Sequence, residues 1–310
     1  MALNKDLLKA IDITIQELRF QGANEYRINA YVKLRNIVAK YPTKIVAGEE
    51  LRAYLGVGDG LMAHVNEWLI NGPPKASDKL ETYNELVDLV DIGPKLAKEL
   101  VMQGVRSVAD LKKLVKEGKV QLTQGAMLGL KYYKDIQQRI PRQEVEAIAD
   151  VVSKTLPKMS VTVCGSYRRG LPDSGDIDIL LCDYNLASED EVSKSNVLSD
   201  VVKTLHAVGL LIDDLTPKPT TKYMGFCKLG KSGIVRRIDV RLVALESYIP
   251  ALVYFTGSYE FNTMMRGIAK RKGFKLNEYA LEKQGQAIDI HSEEHLFELL
   301  GMEYVPPNKR

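Results

Sequence analysis

The chain has 310 residues, 45% of them hydrophobic and 27% charged, with a formal net charge of +3, a composition that can bury a proper core. No stretch approaches the roughly 18 uncharged apolar residues of a membrane span, and MALNKDLLKAIDIT interrupts its apolar residues with charges at helical spacing, unlike a secretory signal. Three widely spaced cysteines (Cys164, Cys182, Cys227) without a CxxC pair, and four histidines without a ligand spacing, predict reduced thiols of an intracellular protein and no zinc site.

Residues 1–70 carry helical periodicity, first through Leu7, Leu8, Ile11, Ile15 and Leu18, then through Ile28, Tyr31, Leu34, Ile37 and Val38. NGPPKASDK (71–79), with two prolines and no apolar residue larger than alanine, reads as a linker. A second helical block runs to about Arg139 and closes at Ile140-Pro141. From about Val161 short apolar runs bounded by turn residues predict strands: VTVCG, IDILLC, GFCKL and RRIDVRLVAL, with helices at 143–155 and 196–208. From about 249 a helix (260–272) mixes with strand-like pieces. The fold class is therefore α+β, in four parts: 1–75, 76–140, 141–248 and 249–310.

Charge is uneven. Eleven basic residues face 4 acidic ones between Ile92 and Arg142, and 7 face 1 between Pro217 and Arg241. Such blocks are either solvated faces or the footprint of a polyanion. LRAYLGVGDGLMA (51–63) and LVDLVDIGPKLA (86–97) share an apolar-Gly step at 57–58 and 92–93 before a new helix. That is the pattern of a helix-hairpin-helix, whose turn directs backbone N–H groups at a phosphate without reading a base.

VCGSYRRGLPDSGDIDILL (163–181) poses an electrostatic question. Asp176 and Asp178 are two apart, so on a strand they share a side, roughly 6–7 Å from one another at the backbone. Asp239, in the alternating run RRIDVRL, is a third carboxylate for a neighbouring strand. A D-x-D at a strand end also serves as a solvated turn or an N-cap. Three carboxylates on one sheet face repel unless divalent cations lie among them, and hard oxygen ligands suit Mg²⁺ or Mn²⁺. Two such ions are the apparatus of in-line phosphoryl transfer. GSYRRG adds backbone N–H groups, a hydroxyl and the guanidinium groups of Arg168 and Arg169, all able to grip a triphosphate.

These residues resemble the nucleotidyltransferase signature of the family X DNA polymerases. INAYVK (28–33), GVG (56–58), IGP (92–94), RIPR (139–142), CGSYRRG, SGDIDILL, TKYMG (221–225), RRIDVRL, YFTGS (254–258), MRGIAKRKGF (265–274) and NEY (277–279) fall in the family's order. The resemblance implies a lyase-like helical DNA-binding domain (1–75), a helical DNA-binding subdomain (76–140), a catalytic palm built on a nucleotidyltransferase-type sheet (141–248) and a small α+β nucleotide-selecting subdomain (249–310). It implies a template-directed, gap-filling repair polymerase, as in base excision repair. Asp176 and Asp178 would bind both of two Mg²⁺ ions (Mn²⁺ as a substitute) and Asp239 one. Ser166, Arg169, Ser174, Gly175 and Arg142 would meet the triphosphate, Tyr254, Phe255 and Gly257 the sugar, and Asn262 the base. Arg27, Tyr31, Gly56, Gly58, Gly93, Lys95 and Arg266 would contact DNA, with a monovalent cation at the hairpin turns, while Arg237 and Arg241 would flank and orient Asp239 near the DNA. Partners would be gapped or nicked DNA and a dNTP, for a monomer without a membrane, nuclear if the source is eukaryotic. The alternatives are a template-independent nucleotidyltransferase and a non-catalytic DNA-end-binding scaffold.

The sequence departs from the family at several points. His64 stands where the lyase lysine is expected and Gly60 where a 5′-phosphate-binding lysine is expected. Imine chemistry requires an amine, so lyase activity is expected to be absent or greatly reduced, with Lys75 or Lys79 as candidates for a relocated nucleophile. Asp91 replaces a hairpin glycine, which predicts a left-handed residue whose carboxylate sits near a DNA phosphate. Tyr259 and Thr263, beside the nucleotide pocket, also depart from the family.

Overall fold

The structure, a computed structural model, describes residues 3–310. The chain divides into two compact units, Met1–Leu130 and Lys131–Arg310. No described helix is long and apolar enough to cross a membrane.

The first unit is helical: α1 (Lys5–Gln21), α2 (Glu25–Lys40), α3 (Asp59–Asn71), α4 (Asp78–Val87), α5 (Pro94–Met102), α6 (Val108–Lys116) and the start of α7 (Gln124–Ile136). The apolar stripe read from the sequence becomes one core, in which Leu7, Ile11, Ile15 and Leu18 of α1 meet Ile28, Tyr31, Leu34 and Val38 of α2. Met62, Val65 and Trp68 of α3 complete it. Asn24 accepts from the Tyr26 N–H to cap α2, and Ser77 accepts from the Leu80 N–H to cap α4, each satisfying a helix-end donor. The 71–79 stretch is the short connection between α3 and α4, and the Ser77 N–H donates to Glu17 Oε1 at 2.7 Å. The first hairpin opens with a single 3₁₀ turn, Gly48–Leu51, where the second opens with α4.

The second unit carries β1 (Ile140–Pro141), α8 (Arg142–Thr155), β2 (Ser160–Val163), α9 (Gly165–Arg168), β3 (Asp173–Ser174), β4 (Ile177–Cys182), α10 (Glu189–Lys194) and α11 (Val197–Ala207). It continues with β5 (Leu211–Asp214), β6 (Lys222–Lys228), β7 (Val235–Val243), α12 (Tyr248–Thr256) and α13 (Tyr259–Arg271). Last come β8 (Phe274–Leu276), β9 (Leu281–Lys283), β10 (Gln286–Ala287) and α14 (Glu293–Leu299). The central sheet has the order β2-β4-β7-β6-β5, in which β4 and β7 alone are parallel neighbours. A separate sheet of order β10-β9-β8 follows, and its region has its own core around Phe261, Met265, Leu281 and Phe297.

Strand alternation decides where the carboxylates go. Ile177, Ile179 and Leu181 of β4, and Ile238, Val240 and Leu242 of β7, pack against α8 and α11. Burying each such side chain stabilises by about 2 kcal/mol, so this face is committed to the core. The alternate residues take the other face, where Leu180 and Val243 pack on Cys164, Ala251 and Leu252. Asp178 and Asp239 share that parity and therefore face the α12 side. Cys164, Cys182 and Cys227 are all unpaired and buried. Burial pushes the thiols of Cys164 and Cys227 up to about 12, leaving them protonated.

Candidate active site

Asp178 and Asp239 are register partners on the parallel pair β4 and β7, and Asp176 lies in the exposed turn that enters β4. Burial, and then the charges of Asp176 and Asp239, push the Asp178 carboxyl well above the usual carboxylate range, against the pull of Arg169 and Arg237. Burial raises Asp239 as well, while Arg237 Nη2 donates to its Oδ1 at 2.6 Å. Space around Asp178 is made by Gly165: a Cβ there would stand 2.0 Å from Asp178 Oδ2, and its φ of +55° is one that L side chains rarely adopt.

Among the described residues, no three acidic, histidine or cysteine side chains stand together as a ready metal cage. One carboxylate is held by Arg237, and another sits on a solvent-facing turn. The donor set nevertheless fits a hard divalent cation, because burial and the neighbouring carboxylates raise both Asp178 and Asp239 even with Arg237 bonded to Asp239.

Beside the carboxylates opens a cleft of about 470 Å³. Of the residues expected at the triphosphate, Ser166, Arg169 and Gly175 line it, together with Asp176 and Asp178. Of those expected at the sugar and base, Tyr254, Phe255, Gly257 and Asn262 line it. Asn262 Nδ2 donates to the Tyr254 carbonyl at 2.7 Å, and Arg169 Nη1 donates to the Thr256 carbonyl at 2.6 Å. The Gly257–Ser258 peptide bond is cis. Ser174 lies beneath the lining rather than in it: it is buried and accepts from the Ser166 hydroxyl at 2.8 Å. Its position is set by the two-stranded pairing of β1 with β3, Ile140 opposite Ser174.

The arginines are sorted by their partners. Arg142 is absent from the cleft lining; its guanidinium lies 3.9 Å from the Tyr167 ring centroid and donates to the Tyr167 carbonyl at 2.8 Å. Arg139 lines the cleft instead, steadied by its Nε bond to Asp173 at 2.8 Å. Arg168, expected from its place in GSYRRG to grip phosphate, turns to Glu293 and Thr256 at 2.7 Å. Glu293 also accepts from Arg310 at 2.7 Å, so Arg168 belongs to a buried ionic cluster. Arg266 lies over the Tyr254 ring at 5.0 Å, and Arg241 over the Tyr279 ring at 5.5 Å. Ser258, the last residue of the YFTGS motif, and Tyr259, expected beside the nucleotide pocket, also line the cleft.

In the first unit, Gly58 caps α3 and Gly93 caps α5, with Pro94 as first helical residue and Lys95 exposed beside it. Gly56 takes φ +93°. Asp91 takes φ 62°, as its place in the hairpin predicts. Its carboxylate accepts from the Thr123 hydroxyl and abuts Gly125 within the same unit. Arg27 is exposed on α2, whereas Tyr31 is buried, its Oη hydrogen-bonded to His64 Nδ1 at 2.6 Å. Lys75 and Lys79 are exposed.

Comparison with known proteins covers most of this architecture. The family described as DNA polymerase beta palm matches residues 139–245, DNA polymerase beta thumb matches 251–310, and the fingers domain of DNA polymerase lambda matches 84–137. The chain is similar to DNA polymerase lambda of Rattus norvegicus, 30% identical over 332 aligned positions that take in 99% of this chain and 56% of the relative. It is similar also to DNA polymerase lambda of Arabidopsis thaliana, 27% identical over 339 positions, 99% of this chain and 62% of the relative. The chain thus spans little more than half the length of these relatives. A palm with its carboxylates on the α12 face, a thumb and a fingers region, found together in one chain, place it in the family X DNA polymerases, a family whose members use divalent metal ions.

Proposed function

We propose that this chain is a template-directed DNA polymerase that fills short gaps, transferring a nucleotide from a dNTP to a primer 3′-hydroxyl. The observation that carries the reading is the pairing of Asp178 with Asp239 across β4 and β7, with Asp176 in the turn just before β4, beside a cleft lined by Arg139, Arg169 and Ser166. Asp176 and Asp178 would hold two Mg²⁺ ions and Asp239 one of them; bound there, the ions supply charge stabilisation for an in-line displacement. Arg169, Arg139 and the Ser166 hydroxyl bind and orient the triphosphate through charge-assisted hydrogen bonds. Arg237 holds Asp239 in place through its 2.6 Å bond. Tyr254 and Phe255 flank the sugar, and Asn262 meets the base edge. The parts would run 1–75, 76–140, 141–248 and 249–310, the first two gripping gapped DNA through the hairpin turns at Gly58 and Gly93. Phosphate contacts of this kind weaken steeply with added salt.

Primer extension on a one-nucleotide gap tests the reading. Asp239→Ala is expected to abolish nucleotide addition and leave DNA binding nearly intact. Addition to a lone single strand as fast as to the gap would replace it with a template-independent transferase.

A further inference from the structure

We infer that Tyr259 provides an aromatic face on which the base of the incoming nucleotide stacks, giving this chain an affinity for nucleotides that is independent of a template base. The inference rests on the polymerase reading above and deepens it.

The cleft has two chemical ends. Its charged lining residues, Arg139, Arg169, Asp176 and Asp178, all come from the stretch 139–178, which runs from just before β1 into β4. Its α12–α13 wall, including Tyr254, Ser258 and Asn262, is uncharged. A nucleoside triphosphate carries its charge at one end and a flat ring at the other, so it fits in one sense, with phosphates toward the arginines and base toward α13.

Tyr259 is the first residue of α13 and is 81% exposed while lining this cleft. Its backbone is well held: Ser258 caps the helix, and the Tyr259 carbonyl accepts from the Thr263 hydroxyl at 2.9 Å. Its ring is not held. Among the described residues it has no ring partner and its hydroxyl no hydrogen bond. Asn262, three residues on, lies on the same helix face and is fixed by its bond to the Tyr254 carbonyl. The wall therefore presents a rigid amide and an unengaged aromatic ring side by side at the base end.

Stacking on an aromatic ring is tolerant of sequence, because every base has a π-face, and it is stronger for the larger purines. Binding energy gained this way does not depend on correct pairing, so it lowers the KM for right and wrong nucleotides alike.

The test is equilibrium dialysis of the full chain against dATP and dCTP with Mg²⁺ and no DNA, alongside steady-state filling of a one-nucleotide gap. Tyr259→Ala is expected to weaken dATP binding on the order of tenfold and dCTP binding less, with Tyr259→Phe restoring both. In gap filling KM rises by a similar factor and kcat moves little. Unchanged binding in Tyr259→Ala, or Tyr259→Phe as weak as Tyr259→Ala, would overturn the inference. A wild-type chain that adds no nucleotide to any primer would sink the polymerase reading, while the dialysis would still decide for or against the ring.

Discussion

Tyr31 and His64 share a 2.6 Å hydrogen bond between the phenol oxygen and Nδ1, and the His64 ring stacks on Trp68 with 5.8 Å between centroids. The position expected to carry a nucleophilic amine is thus an imidazole tied into its own aromatic cluster. An imidazole cannot form an imine with an abasic sugar.

The first prediction follows for lyase chemistry. Borohydride is expected to capture no covalent adduct between the chain and an incised abasic-site duplex. Efficient capture that disappears on changing a single lysine would show that Lys75, Lys79 or another amine has taken over. Tyr31→Phe, which deletes the partly buried bond, should cost about 0.5–1.5 kcal/mol in urea unfolding.

Gly165 is the second test point. In Gly165→Ala the new Cβ meets Asp178 Oδ2 at 2.0 Å from a backbone with φ +55°. Displacement of the carboxylate should reduce gap filling by at least about tenfold. The left-handed conformation should cost about 1–3 kcal/mol of stability. Wild-type extension rates in this variant would mean that Asp178 need not occupy its observed place.

Asp178→Asn separates activity from stability. Burial first, and then the charges of Asp176 and Asp239, raise this carboxyl, so removing its charge relieves both the desolvation and the repulsion in the metal-free fold. In EDTA the variant is expected to be more stable than the parent by about 1–3 kcal/mol while adding no nucleotide. A drop in melting temperature would argue against the repulsion.

The two neighbouring arginines should behave differently. Arg169→Ala, at the cleft, is expected to raise the dNTP KM by roughly ten- to a hundredfold, the loss of one charge-assisted contact. Glu293→Gln, by contrast, strands Arg168 and the fully buried side chain of Arg310 without their carboxylate. Its cost should appear in unfolding, at about 3–5 kcal/mol. Equal unfolding curves for wild type and Glu293→Gln would refute the buried cluster.

Much of this was readable along the chain because it is local. The alternation of Ile177, Ile179 and Leu181 marks β4 and places Asp178 on the opposite face whatever the rest of the fold does. Glycine before a new helix marks both hairpins, and the left-handed Asp91 follows from its place in the second. Other features depend on partners distant in sequence. Arg168 and Arg169 are adjacent and chemically equivalent on paper; they part because Glu293 lies within reach of one and the cleft within reach of the other. Arg142 is captured by Tyr167, which leaves Arg139 to line the cleft, and the Asp91 carboxylate is captured by Thr123. The sequence by itself determined the strands, the helices and the faces that carry the carboxylates, since backbone period and apolar burial act over a few residues. Only the tertiary structure decided where the long charged side chains end, since a guanidinium on three methylenes goes to whichever buried acceptor the fold brings near.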